Sequence, residues 1–256
     1  MFRPRVMPCL LLRELGLVKT VQFKNARYIG DPMNAVRIFN AKEADELVFL
    51  DIRASQEGRS VAVPLVEKIA AETFMPFAVG GGIRSLQTVR ELISSGAEKV
   101  VINSFAFERP EFIRQAADTF GSQSVVVSID ARKKAPGHYE VLTYGGTRST
   151  GINPAALARK MEEFGAGEIL ITSIDRDGTM EGYDLDLVSS VARAVSTPVI
   201  ACGGAARLSD FKDAVVTGGA TAIAAGSMFV YHGKRRAVLI NFPSKVELLE
   251  TFSDLE

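Results

Sequence analysis

Eight apolar runs of strand length punctuate the chain, at residues 5–11, 47–52, 77–79, 99–103, 124–130, 168–173, 199–202 and 220–225. Each is close to continuously hydrophobic, which is the pattern of strands buried on both faces of a helix-covered sheet. Between them lie amphipathic stretches such as 86–95 and 154–164, whose apolar side chains return every three or four residues. Strands and helices alternating in this way predict βα units and a parallel sheet. Gly96-Ala97, Gly165-Ala166 and Gly219-Ala220 stand where helices give way to strands. Glycine there ends a helix at positive φ and lets it pack closely on the sheet.

Comparison of the sequence with itself adds a constraint. Val79-Gly-Gly-Gly-Ile-Arg-Ser resembles Cys202-Gly-Gly-Ala-Ala-Arg-Leu, and the segment around Asn103-Ser104 resembles that around Gly226-Ser227, at an offset of 122 to 123 residues. A period near half the chain indicates two fused half-barrels, because solenoid repeats run to only about 20–50 residues. The predicted fold is an α/β (β/α)8 TIM barrel with two-fold half-barrel pseudo-symmetry, one domain over residues 1–256, close to the roughly 250 residues typical of such barrels. Only residues 133–138 and 230–236 read as irregular insertions.

Composition narrows the function. Thirty basic and thirty acidic side chains cancel, so nothing in the charge favours nucleic acid or an anionic membrane surface. No stretch reaches the ~18–20 apolar residues of a membrane span, and the apolar start is read as a first strand, so the expected location is the cytoplasm. Cys9 and Cys202 are far apart in sequence, each in a strand-like run, and are read as reduced packing residues. No metal or cofactor is implied.

The candidate chemistry lies where strands end. Gly81 and Gly82 after strand 3 and Gly203 and Gly204 after strand 7 precede helices, as do Asn103-Ser104 after strand 4 and Gly226-Ser227 after strand 8. Backbone N–H groups freed by glycine, helix N-termini and a hydroxyl form an anion cradle without lysine. Gly178-Thr179, after strand 6, joins the second copy. Two related cradles at one rim point to a phosphorylated small molecule with a phosphate at each end. Asp51, Asp130, Asp175 and Asp177 end or follow strands 2, 5 and 6 at the same rim. A partly dry rim carboxylate can be tuned for proton transfer, and Asp130 is the prime candidate. Asp177, just before Gly178, fits an Asx-type turn as readily as a catalytic role.

The run Gly165-Ala-Gly-Glu-Ile-Leu-Ile-Thr-Ser-Ile-Asp-Arg-Asp-Gly-Thr179, with Val125-Val-Val-Ser-Ile-Asp130, Glu46-Leu-Val-Phe-Leu-Asp51 and Gly80-Gly-Gly-Ile-Arg84, resembles the cyclase subunit of imidazole glycerol phosphate synthase over about residues 5–229. The resemblance implies a two-phosphate substrate, a glutaminase partner docked at the N-terminal barrel face in a heterodimer, and ammonia passing through the barrel. It also implies a charged ring at the barrel floor, here Arg5, Glu46, Lys99 and Glu168, which acts either as an ammonia gate or as a salt-bridge plug. Ionic layers of this kind add little stability, which favours the gate.

One departure alters the functional reading. The family's first strand ends Cys-Leu-Asp, and its aspartate works opposite the one matching Asp130; here the chain reads Cys9-Leu10-Leu11. Half-barrel symmetry calls for a carboxylate at the same place. Losing a general acid or base typically costs about 10²–10⁴-fold. The next loop also differs, although Lys19 is kept as a possible auxiliary group beside Asp51 and Asp177. The combination resembles the cyclase-like paralogues found with sugar amidotransferases in surface-polysaccharide pathways, where ammonia serves acetamidino-sugar formation. Two other readings stay open: an active cyclase in which another rim carboxylate replaces the missing one, and a non-catalytic subunit that activates its glutaminase.

Overall fold

Alternation along the first strand sets the layout. In the computed structural model, which describes residues 3–233, 235–253 and 255, strand β1 (Arg5–Arg13) turns Val6, Leu10 and Leu12 towards the helices and Met7, Cys9 and Leu11 into the barrel interior. The same two-residue period recurs in β2 (Leu47–Asp51), β3 (Phe77–Gly80), β4 (Lys99–Ile102), β5 (Val125–Ala135), β6 (Glu168–Ser173), β7 (Val199–Cys202) and β8 (Ala222–Ala225). Each pairs in parallel with the next. Arg5 opposite Ala222 through Pro8 opposite Ala225 then join β1 to β8 and close the barrel. With no open edge and helices outside, every central strand is buried on both faces, which is why the runs read as continuously apolar.

The helices follow the sequence signals. Asp31 caps Pro32–Ala41 by accepting from the amides of Met33 and Asn34, Ser85 caps Leu86–Ser94, and Asn153 caps Pro154–Glu163; each satisfies N–H groups that a helix start leaves unpaired. Gly96, Gly165 and Gly219 have φ of 104°, 89° and 73°, as expected of glycines turning from helix to strand. No described helix is long and apolar enough to cross a membrane.

Two strands run on beyond the sequence pattern. β1 continues into an antiparallel pair, Gly16–Val21 with Lys24–Gly30, and β5 continues to Ala135 and pairs with His138–Thr143. Residues 133–138, expected to be an irregular insertion, are therefore the tip of a β-hairpin. Polar side chains hid it: Arg132 faces Glu140 across the ladder, and Lys134 pairs with Glu140 at 2.6 Å. Residues 230–236 are likewise more regular than expected, since Tyr231–His232 pairs with Ala237–Val238 around Gly233; Lys234 lies outside the described residues. Each half-barrel thus repeats an antiparallel excursion after its first strand and a short helix after its fourth, Ser104–Glu108 and Ser227–Val230.

Candidate active site

A cavity of about 360 Å³ opens at the C-terminal ends of the barrel strands, lined by both glycine cradles, Leu11 and Asp130. Asp130 projects inward from β5, 8% exposed, and its Oδ2 accepts from Asn103 Nδ2 at 3.0 Å. Burial pushes its carboxyl up to about 7; the Asn103 bond opposes that rise and the nearby Asp177 adds to it. A carboxylic acid poised there can take up and release protons near neutrality. β1 lies four strands from β5 in either direction round the closed barrel, so Leu11 enters the same cavity from the opposite wall. It presents only methyl groups.

The remaining rim carboxylates are tied to the protein. Asp51 is held by Arg59, whose Nη1 donates at 2.6 Å, and by the amides of Arg53 and Ala54. Asp177 Oδ2 accepts from Thr20 Oγ1 at 2.7 Å and from the Phe23 amide at 3.2 Å. The Gln22 amide also reaches the Asp177 carbonyl, and its side chain reaches that of Asp175. These bonds seat the tip of the β1 hairpin, with positive φ at Gln22 and Phe23, on the loop after β6. The contact is close: a Cβ on Gly178 would lie 2.1 Å from the Thr20 carbonyl oxygen. Lys19, buried on this hairpin, reaches β8, where a Cβ on Gly226 would lie 2.0 Å from its Nζ.

The glycines read as cradles sit in tight turns at the rim. Gly81, Gly82, Gly203 and Gly204 all have positive φ, and side chains there would strike neighbouring backbone. Gly82 is the tightest, since a Cβ added there would lie 1.8 Å from the Arg59 carbonyl oxygen. Gly178 lines the cavity, whereas Thr179 turns its hydroxyl to the Arg176 carbonyl and serves the turn. Cys9 and Cys202 meet at the cavity although distant in sequence. A hydrogen bond from Cys202 holds the Cys9 thiol below its ordinary range, and the same contact with burial holds Cys202 well above it.

At the opposite barrel end the four floor charges form a closed circuit. Arg5 donates to Glu46 at 2.5 Å and to Glu168, while Lys99 Nζ lies 2.9 Å from Glu46 and 3.2 Å from Glu168. Between this ring and the rim lie small and apolar interior side chains, among them Ala78, Ala222 and Ala224.

A family model described as "Histidine biosynthesis protein" matches residues 5–236. A protein of Leptospira interrogans named "Putative imidazole glycerol phosphate synthase subunit HisF" is 49% identical over 246 residues, 96% of this chain and 97% of its own length. One of Pseudomonas aeruginosa, its name ending "hisF2", is 51% identical over 243 residues, 95% and 97% of the two chains. The chain is a HisF-like member of the histidine biosynthesis protein family.

In this HisF-like chain the structure gathers Leu11, Lys19, Asp51, Asp130, Asp177 and both cradles round one cavity and sets the floor ring at the other end. Thr20, Phe23 and Arg59 escaped the sequence reading. Thr20 and Phe23 gain their roles from a hairpin that ends 154 residues or more from its anchor in sequence, and Arg59 gains its role from a loop contact, so no local pattern marks any of them.

Proposed function

We propose that this chain is the ammonia-receiving barrel of a glutamine-dependent complex, that its rim binds a phosphorylated ligand, and that its ring-closing activity is feeble. The glutaminase docks at the N-terminal barrel face, and the ring of Arg5, Glu46, Lys99 and Glu168 gates passage of a neutral molecule into the interior. Among the described residues, Asp130 is the one rim carboxylate poised for proton transfer. The observation that carries this reading is the pairing of Asp130 with Leu11 in one cavity above an intact ring. Cyclisation needs a second proton-transfer group, and Asp51 and Asp177 are committed to Arg59 and to the β1 hairpin, which weighs against an active cyclase with a substitute carboxylate.

Ammonia that is not used for ring closure needs another acceptor. The resemblance to paralogues that accompany sugar amidotransferases favours a nucleotide-linked acetamido sugar of lipopolysaccharide synthesis, converted on a third protein in the cytoplasm.

The deciding assay supplies the purified chain with ammonium and the phosphoribulosyl formimino carboxamide substrate and follows imidazole glycerol phosphate. Turnover about 10²-fold or more below that of an aspartate-bearing cyclase is expected from the lost group, with a rise on Leu11→Asp. Full turnover by the unmodified chain rejects the proposal. Glutamine-dependent amidation in a complex reconstituted with a glutaminase and a sugar amidotransferase tests the acceptor, since a coupling ratio indifferent to Lys99 or Glu168 variants removes the gate.

A further inference from the structure

We propose that Met7, Cys9 and Cys202 form an all-sulfur site at the base of the rim cavity that binds one soft monovalent cation of the copper(I) class. None of the three takes part in the proton transfer or the ionic ring described above, and the inference does not depend on what the rim binds.

Strand register brings the sulfurs together. Met7 and Cys9 are successive interior residues of β1, and Cys202 ends β7. Met7 and Cys202 are both paired with Ala224 of β8, from its two sides. Ala224 also faces the interior and fills little of the space between them, so two sulfur side chains flank one methyl group. Cys9 completes the set: it is hydrogen-bonded to Cys202, and both cysteines are free and line the cavity. Met7 and Cys9 are buried, whereas Cys202 is partly exposed to the cavity, which gives an ion a way in.

The same register keeps the thiols from joining. β8 lies between β1 and β7, so their backbones stand two strand spacings, about 9–10 Å, apart. A disulfide needs Cα atoms within about 7 Å, and paired strands in a closed barrel do not give way locally by the difference. An ion bridging two sulfurs spans more: with metal–thiolate bonds of about 2.3 Å, as for zinc, it holds them roughly 4–5 Å apart.

Ligand type selects the metal. Among the described residues no three His, Cys, Asp or Glu side chains are grouped to hold an ion, so neither a four-ligand zinc set nor an oxygen cage is present there. Two thiolates and a thioether are soft donors, the kind that copper(I) takes. Binding requires both thiols to lose their protons and leaves the site with one negative charge. Lys19 offsets that charge: a Cβ on Gly226 would lie 2.0 Å from its Nζ and 2.9 Å from the Cys9 carbonyl oxygen, so the ammonium stands beside Cys9.

Anaerobic titration of the full, reduced chain with copper(I) in competition with bathocuproine disulfonate, followed by X-ray absorption of the loaded protein, tests this. One copper(I) per chain is expected, with a shell of sulfur neighbours. Cys9→Ser and Cys202→Ser should each weaken binding about a hundredfold or more, since even outer-shell changes cost about 10–100-fold, and Met7→Leu should weaken it less. The sulfur shell is read on the unmodified chain, so it decides the matter however those variants fold. Copper left with the competitor, a shell of nitrogen and oxygen, affinity unchanged in both serine variants, or displacement of the copper by equimolar zinc(II) overturns the inference.

Discussion

The hydroxyl of Thr20 donates to Oδ2 of Asp177 at 2.7 Å, and this contact between buried groups from β1's hairpin and the β6 loop holds Lys19 over the rim. Thr20→Val keeps the shape and removes the donor, leaving the buried carboxylate one partner short. A loss of about 1–3 kcal/mol is expected for such a group. Hydrogen exchange should quicken at the amides of residues 17–29, and phosphate affinity should fall as Lys19 leaves Gly226, whereas Thr20→Ser restores both. Unchanged exchange would mean that the backbone contacts of Gln22 and Phe23 suffice.

Asp130 makes stability depend on pH with a defined sign. Its native carboxyl titrates near 7, far above the ordinary aspartate value of 3.8, so between those values the folded chain holds a proton that the unfolded chain releases. Stability must fall as pH rises through that window and level off above it. Asp130→Asn lacks this penalty, and its advantage above pH 7 should approach about 4 kcal/mol at 1.36 kcal/mol per unit. Urea denaturation at pH 5 and pH 8 measures it; equal differences at the two pH values refute the assignment.

Leu11→Asp places a second carboxylate in the same cavity. Two acids facing one another resist joint ionisation, so the pair should titrate in two steps with the upper one above that of Asp130 alone. Carbon-13 NMR of the carboxyl groups reads both steps, and an Asp130 titration unmoved by the substitution would place the two side chains out of electrostatic reach.

Lys99→Met leaves Glu46 and Glu168 to share Arg5 at the floor, where their side chains are only 4% and 11% exposed. Removal of one partner from a buried ionic cluster costs about 3–5 kcal/mol. Lys99→Arg, which keeps the charge, should retain most of that stability in urea denaturation. Equal losses for Lys99→Met and Lys99→Arg would point to packing of the lysine stem instead.

The barrel was legible because its strands are buried on both sides, and that burial writes itself as apolar runs between helical stretches. Self-similarity located both glycine turns at the rim, since a glycine needed at positive φ leaves few alternatives. The sequence pattern did not reveal the excursions after β1 and β5, whose alternation is masked by Lys, Arg and Glu at exposed ladder positions. Nor could it separate Ser104, whose hydroxyl accepts from the Tyr144 amide, from its sequence equivalent Ser227, whose hydroxyl has no partner among the described residues. Asp51 and Asp177 looked like spare acids for the same reason: the arginine and the hairpin that occupy them come from loops that carry no periodic signal.

β1 carries a member of the ionic ring at Arg5 and a wall of the cavity at Leu11, six residues and so about 20 Å apart at the rise of a strand. Glu46 and Glu168, the ion partners of Arg5, do not line the cavity that Leu11 walls. A single strand can therefore alter the lining of one mouth of the barrel while the ionic layer at the other stays as it is.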